Sequence, residues 1–136
     1  MQKRFRLRTD AQFRRVRGSG RSWPGPLLVL YALPNDEGVT RVGLSAGKRV
    51  GKAVTRNRIK RLLREAVRQR LGVIKQGYDL ILIARAPIAT ATYREVVAAV
   101  EQLLRRSQLT TAVDTSGAAE RPEQSRPDSE REQRGQ

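Results

Sequence analysis

Apolar side chains recur along the first hundred residues with two different periods, and the change of period marks the elements. In "TDAQFRRVR", 9–17, Phe13 and Val16 stand at i, i+3 among arginines. Thr9 followed three positions on by Gln12 is a capping-box pattern, each side chain able to satisfy a free backbone N–H of the first turn. A short helix is predicted, ended by "GSG" at 18–20 and "WPGP" at 23–26. "LLVLYAL", 27–33, is continuously apolar and runs into the turn cluster "PNDEG". It reads as a strand buried on both faces or lying under a helix. "TRVGLSA", 40–46, alternates, with Val42, Leu44 and Ala46 to one side and Arg41, Gly43 and Ser45 to the other. The short turn between these runs predicts an antiparallel hairpin of the two.

From about Thr55 to Leu71 the period returns to 3.6. Turning 100° per residue gathers Ile59, Leu62, Leu63, Ala66 and Val67 in one sector. Asn57, Lys60, Arg61, Arg64 and Arg68 fall opposite, with Arg56 and Arg58 on the flanks of the first turn. "DLILIAR", 79–85, is a second dense apolar strand. A last helix starts at Thr92, with Glu95 at the capping-box position, and carries Val96, Val97, Val100, Leu103 and Leu104 at helical spacing. The order α-β-β-α-β-α, with room for a further short strand near 21–23, predicts an α+β two-layer sandwich of helices against a small sheet. Residues 112–136 hold one valine and no larger apolar residue, and are rich in Glu, Arg, Ser, Gln and Pro. Such a tail cannot offset its ordering entropy and is expected to be disordered, leaving 1–111 as the one domain.

Charge changes this picture most. The tail holds four arginines and six acids, so residues 1–111 carry +17 against +15 for the whole chain. Residues 45–71 alone contain ten lysines and arginines and one glutamate. Solvated helices ordinarily intersperse acids to gain i,i+4 pairs. An unmixed cationic ridge beside an apolar stripe points to a polyanion, nucleic acid before anionic membrane. With no histidine, no cysteine and only seven scattered acids outside the tail, the chain lacks the acid–base and metal-ligand sets of a protein hydrolase. No catalytic or metal-binding residue is expected. No apolar run reaches the roughly 20 residues that span a bilayer. "MQKRFRLR" is not followed by the apolar stretch of a signal peptide, so the cytoplasm is the expected location and no membrane the expected partner.

"KRVGKAVTRNRIKRLLREAVR", centred on Arg56-Asn57-Arg58, resembles the signature of the bacterial ribonuclease P protein component. The likeness extends in order through "RLRTDAQFRRV", "LLVLYALPN", "TRVGLSAGKRVGKAV", "YDLILIARAP" and "TYREVVAAVEQLL", covering about residues 4–109. The resemblance implies a four-stranded sheet with a left-handed crossover through the basic helix, against the usual right-handed rule. It implies a protein subunit that binds a catalytic RNA and the 5′ leader of precursor tRNA. The RNA then hydrolyses the leader off in a Mg²⁺-dependent reaction, holding most of the Mg²⁺ itself; neither an organic cofactor nor a protein oligomer is required.

Carried onto this chain, the resemblance assigns RNA contact to Lys48, Arg49, Lys52, Arg56, Asn57, Arg58, Lys60, Arg61, Arg64 and Arg68. It places Phe13 and Tyr31 in a cleft that holds the leader, where aromatics stack on unpaired bases. Both residues also have a plainer reading as core side chains. Many relatives carry a second aromatic one turn after Phe13; here that position is Arg17, which would supply a guanidinium plane or a phosphate contact instead.

Overall fold

The computed structural model describes residues 5–7 and 9–111. The segment 112–136, expected to be disordered, lies outside the described residues. Helix α1, Asp10–Ser19, opens on the predicted box: Thr9 Oγ1 accepts from the Gln12 amide and Gln12 Oε1 from the Thr9 amide, both at 3.1 Å. Strands β1, Arg21–Pro24, and β2, Leu28–Pro34, form a hairpin, with Trp23 opposite Leu30. Strand β3, Arg41–Ser45, leads through a 3₁₀ turn at Lys48–Val50 into α2, Ala53–Arg68. Strand β4, Tyr78–Ala84, and α3, Tyr93–Arg106, follow, with short 3₁₀ turns at Leu71–Val73 and Ala86–Thr90 before each of them. No helix among the described residues is long and apolar enough to cross a membrane.

The strand order is β1-β2-β4-β3, which corrects the predicted hairpin of 27–33 with 40–46. Strand β4 lies between them, antiparallel to β2 and parallel to β3, with Leu30 opposite Leu82 and Val42 opposite Leu80. The physical reason is burial. Asp79, Leu80, Ile81 and Leu82 are all buried, on alternating faces, so β4 is the strand that belongs in the middle. The loop after β2 is tied to β4 rather than closed on itself. Asn35 Oδ1 accepts from the Glu37 amide, while Asn35 Nδ2 donates to Val39 O and to Asp79 Oδ1. Strand β3 is thereby delivered to the far side of β4, and β3–α2–β4 becomes a parallel crossover.

The two faces of the sheet are unequal. Leu28, Leu30, Val42, Leu80 and Leu82 face α2 and α3 and join Ile59, Leu63, Val100 and Leu103 in the larger core. The other face carries only a small cluster of Leu7, Val16 and Ile81, with Phe13, Tyr31, Leu33 and Ile83 packed around it. Helix α1 covers this second face. The fold is therefore an α+β sandwich with its main helical layer on one side and a short helix on the other.

Candidate RNA interface

The turn into α2 fixes where its charges point. Gly51 has φ +147°, a conformation that L side chains rarely adopt, and a Cβ there would lie 3.0 Å from the Thr55 side chain. Val50 is buried and pins the turn. Ile59, Leu63, Ala66 and Val67 then bury the apolar stripe, leaving Asn57, Arg58 and Arg61 at the surface, along with Lys48, Arg49 and Lys52 just upstream. Arg56 is steadied by a bond from its Nε to Gly51 O at 3.2 Å, and Arg58 by one from Nη2 to Ala89 O at 2.6 Å. These partners are neutral carbonyls, so neither bond sets an acid against the guanidinium.

Arg68 differs from the others. Its guanidinium donates through Nε and Nη2 to both oxygens of Glu65, and Gln69 adds a third bond. Hydrogen bonding from Arg68, then from Gln69, holds the Glu65 pKa below the usual carboxylate value, and the same pairing raises that of Arg68. Among the described residues the ridge is thus uncompensated from Lys48 to Arg64 and locally balanced at its C-terminal end.

Lys60 and Arg64, both half-exposed, line a groove of about 320 Å³ with Arg6, Leu7, Phe13, Val42, Gly43 and Leu44. The groove follows the open edge of β3. The N-terminal segment pairs with that edge at one point, where the Leu7 amide donates to Val42 O at 3.0 Å and Arg6 bridges Val42. Phe13 reaches across from α1 and lies directly on Gly43. A Cβ at that position would come within 2.5 Å of the Phe13 ring, so the bare backbone is what admits the aromatic. The ring is half-buried: one side rests on the strand and the other borders the groove.

Arg17 and Tyr31 lie further along the same face. The Arg17 guanidinium sits over the Tyr31 ring, 5.6 Å from its centroid, a cation–π pair whose two members both remain partly open to solvent. Tyr31, Ile81 and Gly43 form one row across β2, β4 and β3, so the Arg17–Tyr31 stack and the Phe13–Gly43 approach are about 10 Å apart in the sheet. The structure thus brings Phe13 together with Lys60 and Arg64, and sets Arg17 with Tyr31 beside them rather than in the same groove. Sequence reading missed Arg6 and Leu7, because an isolated bridge to a sheet edge leaves no local periodicity.

Asp79 is fully buried beneath α1. Burial by itself pushes its pKa up, but hydrogen bonds from Arg41 and Asn35, with the charges of Arg41 and Arg15, outweigh this and hold it below the ordinary carboxylate value. Its stabilisation is accordingly present at neutral pH and is lost as pH falls through that lowered value. The carboxylate has no lone pair left for a metal. Among the described residues, no group of three or more acidic side chains converges that could hold an ion.

A mixed four-stranded sheet with the order 1-2-4-3, a basic crossover helix and a short helix over the second face define a class of small, strongly cationic α+β proteins. The ribonuclease P family model matches residues 1–108. The ribonuclease P protein component of Roseiflexus sp. strain RS-1 is 43% identical over 116 residues, 85% of this chain and 95% of the relative. That of Clostridioides difficile is 40% identical over 104 residues, 76% and 91% of the two chains. The solved structure of the Staphylococcus aureus RNase P protein superposes with a TM-score of 0.73 at 31% identity, covering 79% of this chain and 98% of that one. The Thermotoga maritima RNase P protein gives 0.69 at 30% identity, covering 74% and 96%. The chain belongs to the ribonuclease P protein family, the protein component of a tRNA-processing ribonucleoprotein.

Proposed function

We propose that this protein binds the catalytic RNA of ribonuclease P through the ridge from Lys48 to Arg64 and guides the 5′ leader of precursor tRNA along the α1 face of the sheet. The observation that carries this reading is the continuity of ridge and groove: Lys60 and Arg64 belong to both. Phosphates of a folded RNA meet Lys48, Arg49, Lys52, Arg56, Arg58 and Arg61 on the outside of α2, releasing counterions as they bind. A single strand crossing the edge of β3 meets Arg6, Lys60 and Arg64 for its phosphates and the open side of Phe13 for a base. Arg17 on Tyr31 offers a second flat, cationic surface further along. Arg68, already paired with Glu65, contributes least.

In this division of labour the protein supplies charge, shape and position. Bond cleavage and the Mg²⁺ that assists it belong to the RNA, in keeping with a chain whose buried Asp79 is committed to two arginines. The decisive experiment is reconstitution: leader cleavage from precursor tRNA at physiological salt with catalytic RNA alone, with protein alone, and with both. Stimulation confined to the mixture is expected. Cleavage by protein alone would replace the reading with a protein nuclease, and no effect in any mixture would leave a general RNA-binding protein.

A further inference from the structure

Helix α1 carries Phe13 and Arg17, yet its apolar hold on the sheet is slight. It has ten residues, too few to be stable in isolation, and Val16 is its one buried side chain. Beyond Val16 and the half-buried ring of Phe13, what ties it down is polar. Asp79 stands on β4 in the row Leu33–Asp79–Arg41, and both of its oxygens are shared. Oδ1 accepts from Arg41 Nε at 2.9 Å and Asn35 Nδ2 at 2.8 Å. Oδ2 accepts from Arg41 Nη2 at 2.9 Å and from Arg15 Nη2 at 2.7 Å. Three elements, namely α1, β3 and the loop after β2, therefore converge on one buried charge. Arg41 and Asn35 would satisfy that charge without α1, so Arg15 is the surplus partner, 46% exposed and spent on joining the helix to the sheet.

We infer that Arg15 and Asp79 form a clamp that seats α1 on the sheet and so sets the aim of Phe13 and Arg17 toward the leader. This rests on the reading of the α1 face as the leader path. Both clamp residues are positioning residues: on this account neither touches RNA. Arg15 lies two residues from Phe13 and two from Arg17, so a change in the roll of α1 about its axis moves both together. The Phe13 ring rests on Gly43, so the ring current at the Gly43 amide reports the seating of the helix with no RNA present.

The test uses the full chain with three substitutions: Arg15→Gln, Arg15→Lys and Arg14→Gln. The last removes the same charge from an exposed position on the same helix. Asp79 keeps three of its four bonds in Arg15→Gln, so the fold survives, which circular dichroism verifies. In the free protein, Arg15→Gln should shift the Gly43 amide resonance while Arg14→Gln leaves it in place. In the reconstituted holoenzyme, Arg15→Gln should weaken binding of leader-bearing precursor relative to mature tRNA by about five-fold more than Arg14→Gln, a size typical of residues that act through others. Affinity for the catalytic RNA should match that of Arg14→Gln, and Arg15→Lys should restore most of the loss. An unmoved Gly43 resonance overturns the clamp, and if leader binding still falls, Arg15 is a direct phosphate ligand instead. A shifted Gly43 with unchanged leader discrimination overturns the clamp's role in guiding the leader. Wild-type protein that shows no leader discrimination is the separate failure of the underlying reading.

Discussion

Helices α2 and α3 lie side by side on one face of the sheet and bury equivalent stripes, yet their first turns are built on opposite principles. In α3, Thr92 Oγ1 accepts from the Glu95 amide at 3.1 Å and Glu95 Oε1 from the Thr92 amide at 2.8 Å. Acid stands at the positive end of its dipole, and Arg105 and Arg106 at the negative end. In α2 the N-cap is Lys52, with no side-chain cap and no acid in the first turn. Cations crowd the end that favours anions, each unfavourable by about 0.3–1 kcal/mol at the surface. The core cannot account for the difference, since both helices share it. One helix completes its own charge balance, and the other leaves its first turn without the negative charge that the proposed RNA partner would bring.

The comparison can be broken or sharpened at three levels. The largest effect should be the same for both helices: Leu63→Ala and Leu103→Ala, each at a fully or nearly fully buried site, should each cost about 3 kcal/mol in urea unfolding. A loss confined to one of them would mean that the stripes are not equivalent. Next, Arg61→Ala with Arg64→Ala should weaken assembly with the catalytic RNA. It should also flatten the dependence of log affinity on log salt by about 0.7–0.9 for each phosphate left without its arginine. Removing Arg94 and the exposed Arg105 from α3 should leave that slope unchanged, and equal slopes for the two pairs would erase the distinction. Smallest and sharpest is Lys52→Ser, which gives α2 the cap it lacks. Thermal unfolding of the free protein should show a gain of about 1 kcal/mol, while RNA affinity falls. A gain in both would show that the bare first turn serves no partner.

What the sequence disclosed follows from the range over which each feature is encoded. The capping boxes at Thr9–Gln12 and Thr92–Glu95 span three residues and read directly, as did the stripe of Ile59, Leu63, Ala66 and Val67. Strand pairing is not local. "LLVLYAL" and "TRVGLSA" look like neighbours because they are consecutive, and only the run Asp79–Leu82, buried on both faces, identifies β4 as the strand between them. Asp79 read as no more than an acid at a strand entrance. Its partners sit 64, 44 and 38 residues away, and the one clue is a lone carboxylate opening an apolar strand in an arginine-rich chain. For the site, the ridge on α2 was legible because cation and apolar sectors separate on a helical wheel. The groove was not, because it is assembled from α1, β3, α2 and residues 6–7. Gly43 held the missed signal: a glycine in mid-strand marks a close approach, here by Phe13.

The unequal faces of the sheet have a consequence for how such a protein changes over generations. On the proposed reading the larger core anchors the ridge that grips the partner common to every turnover, whereas α1 rests on a few side chains and one shared charge. Substitutions on α1 can therefore accumulate without disturbing the anchor. If the ridge and the α1 face bind as proposed, the sheet is a partition that lets selectivity for changing cargo drift while the grip on the permanent partner stays fixed.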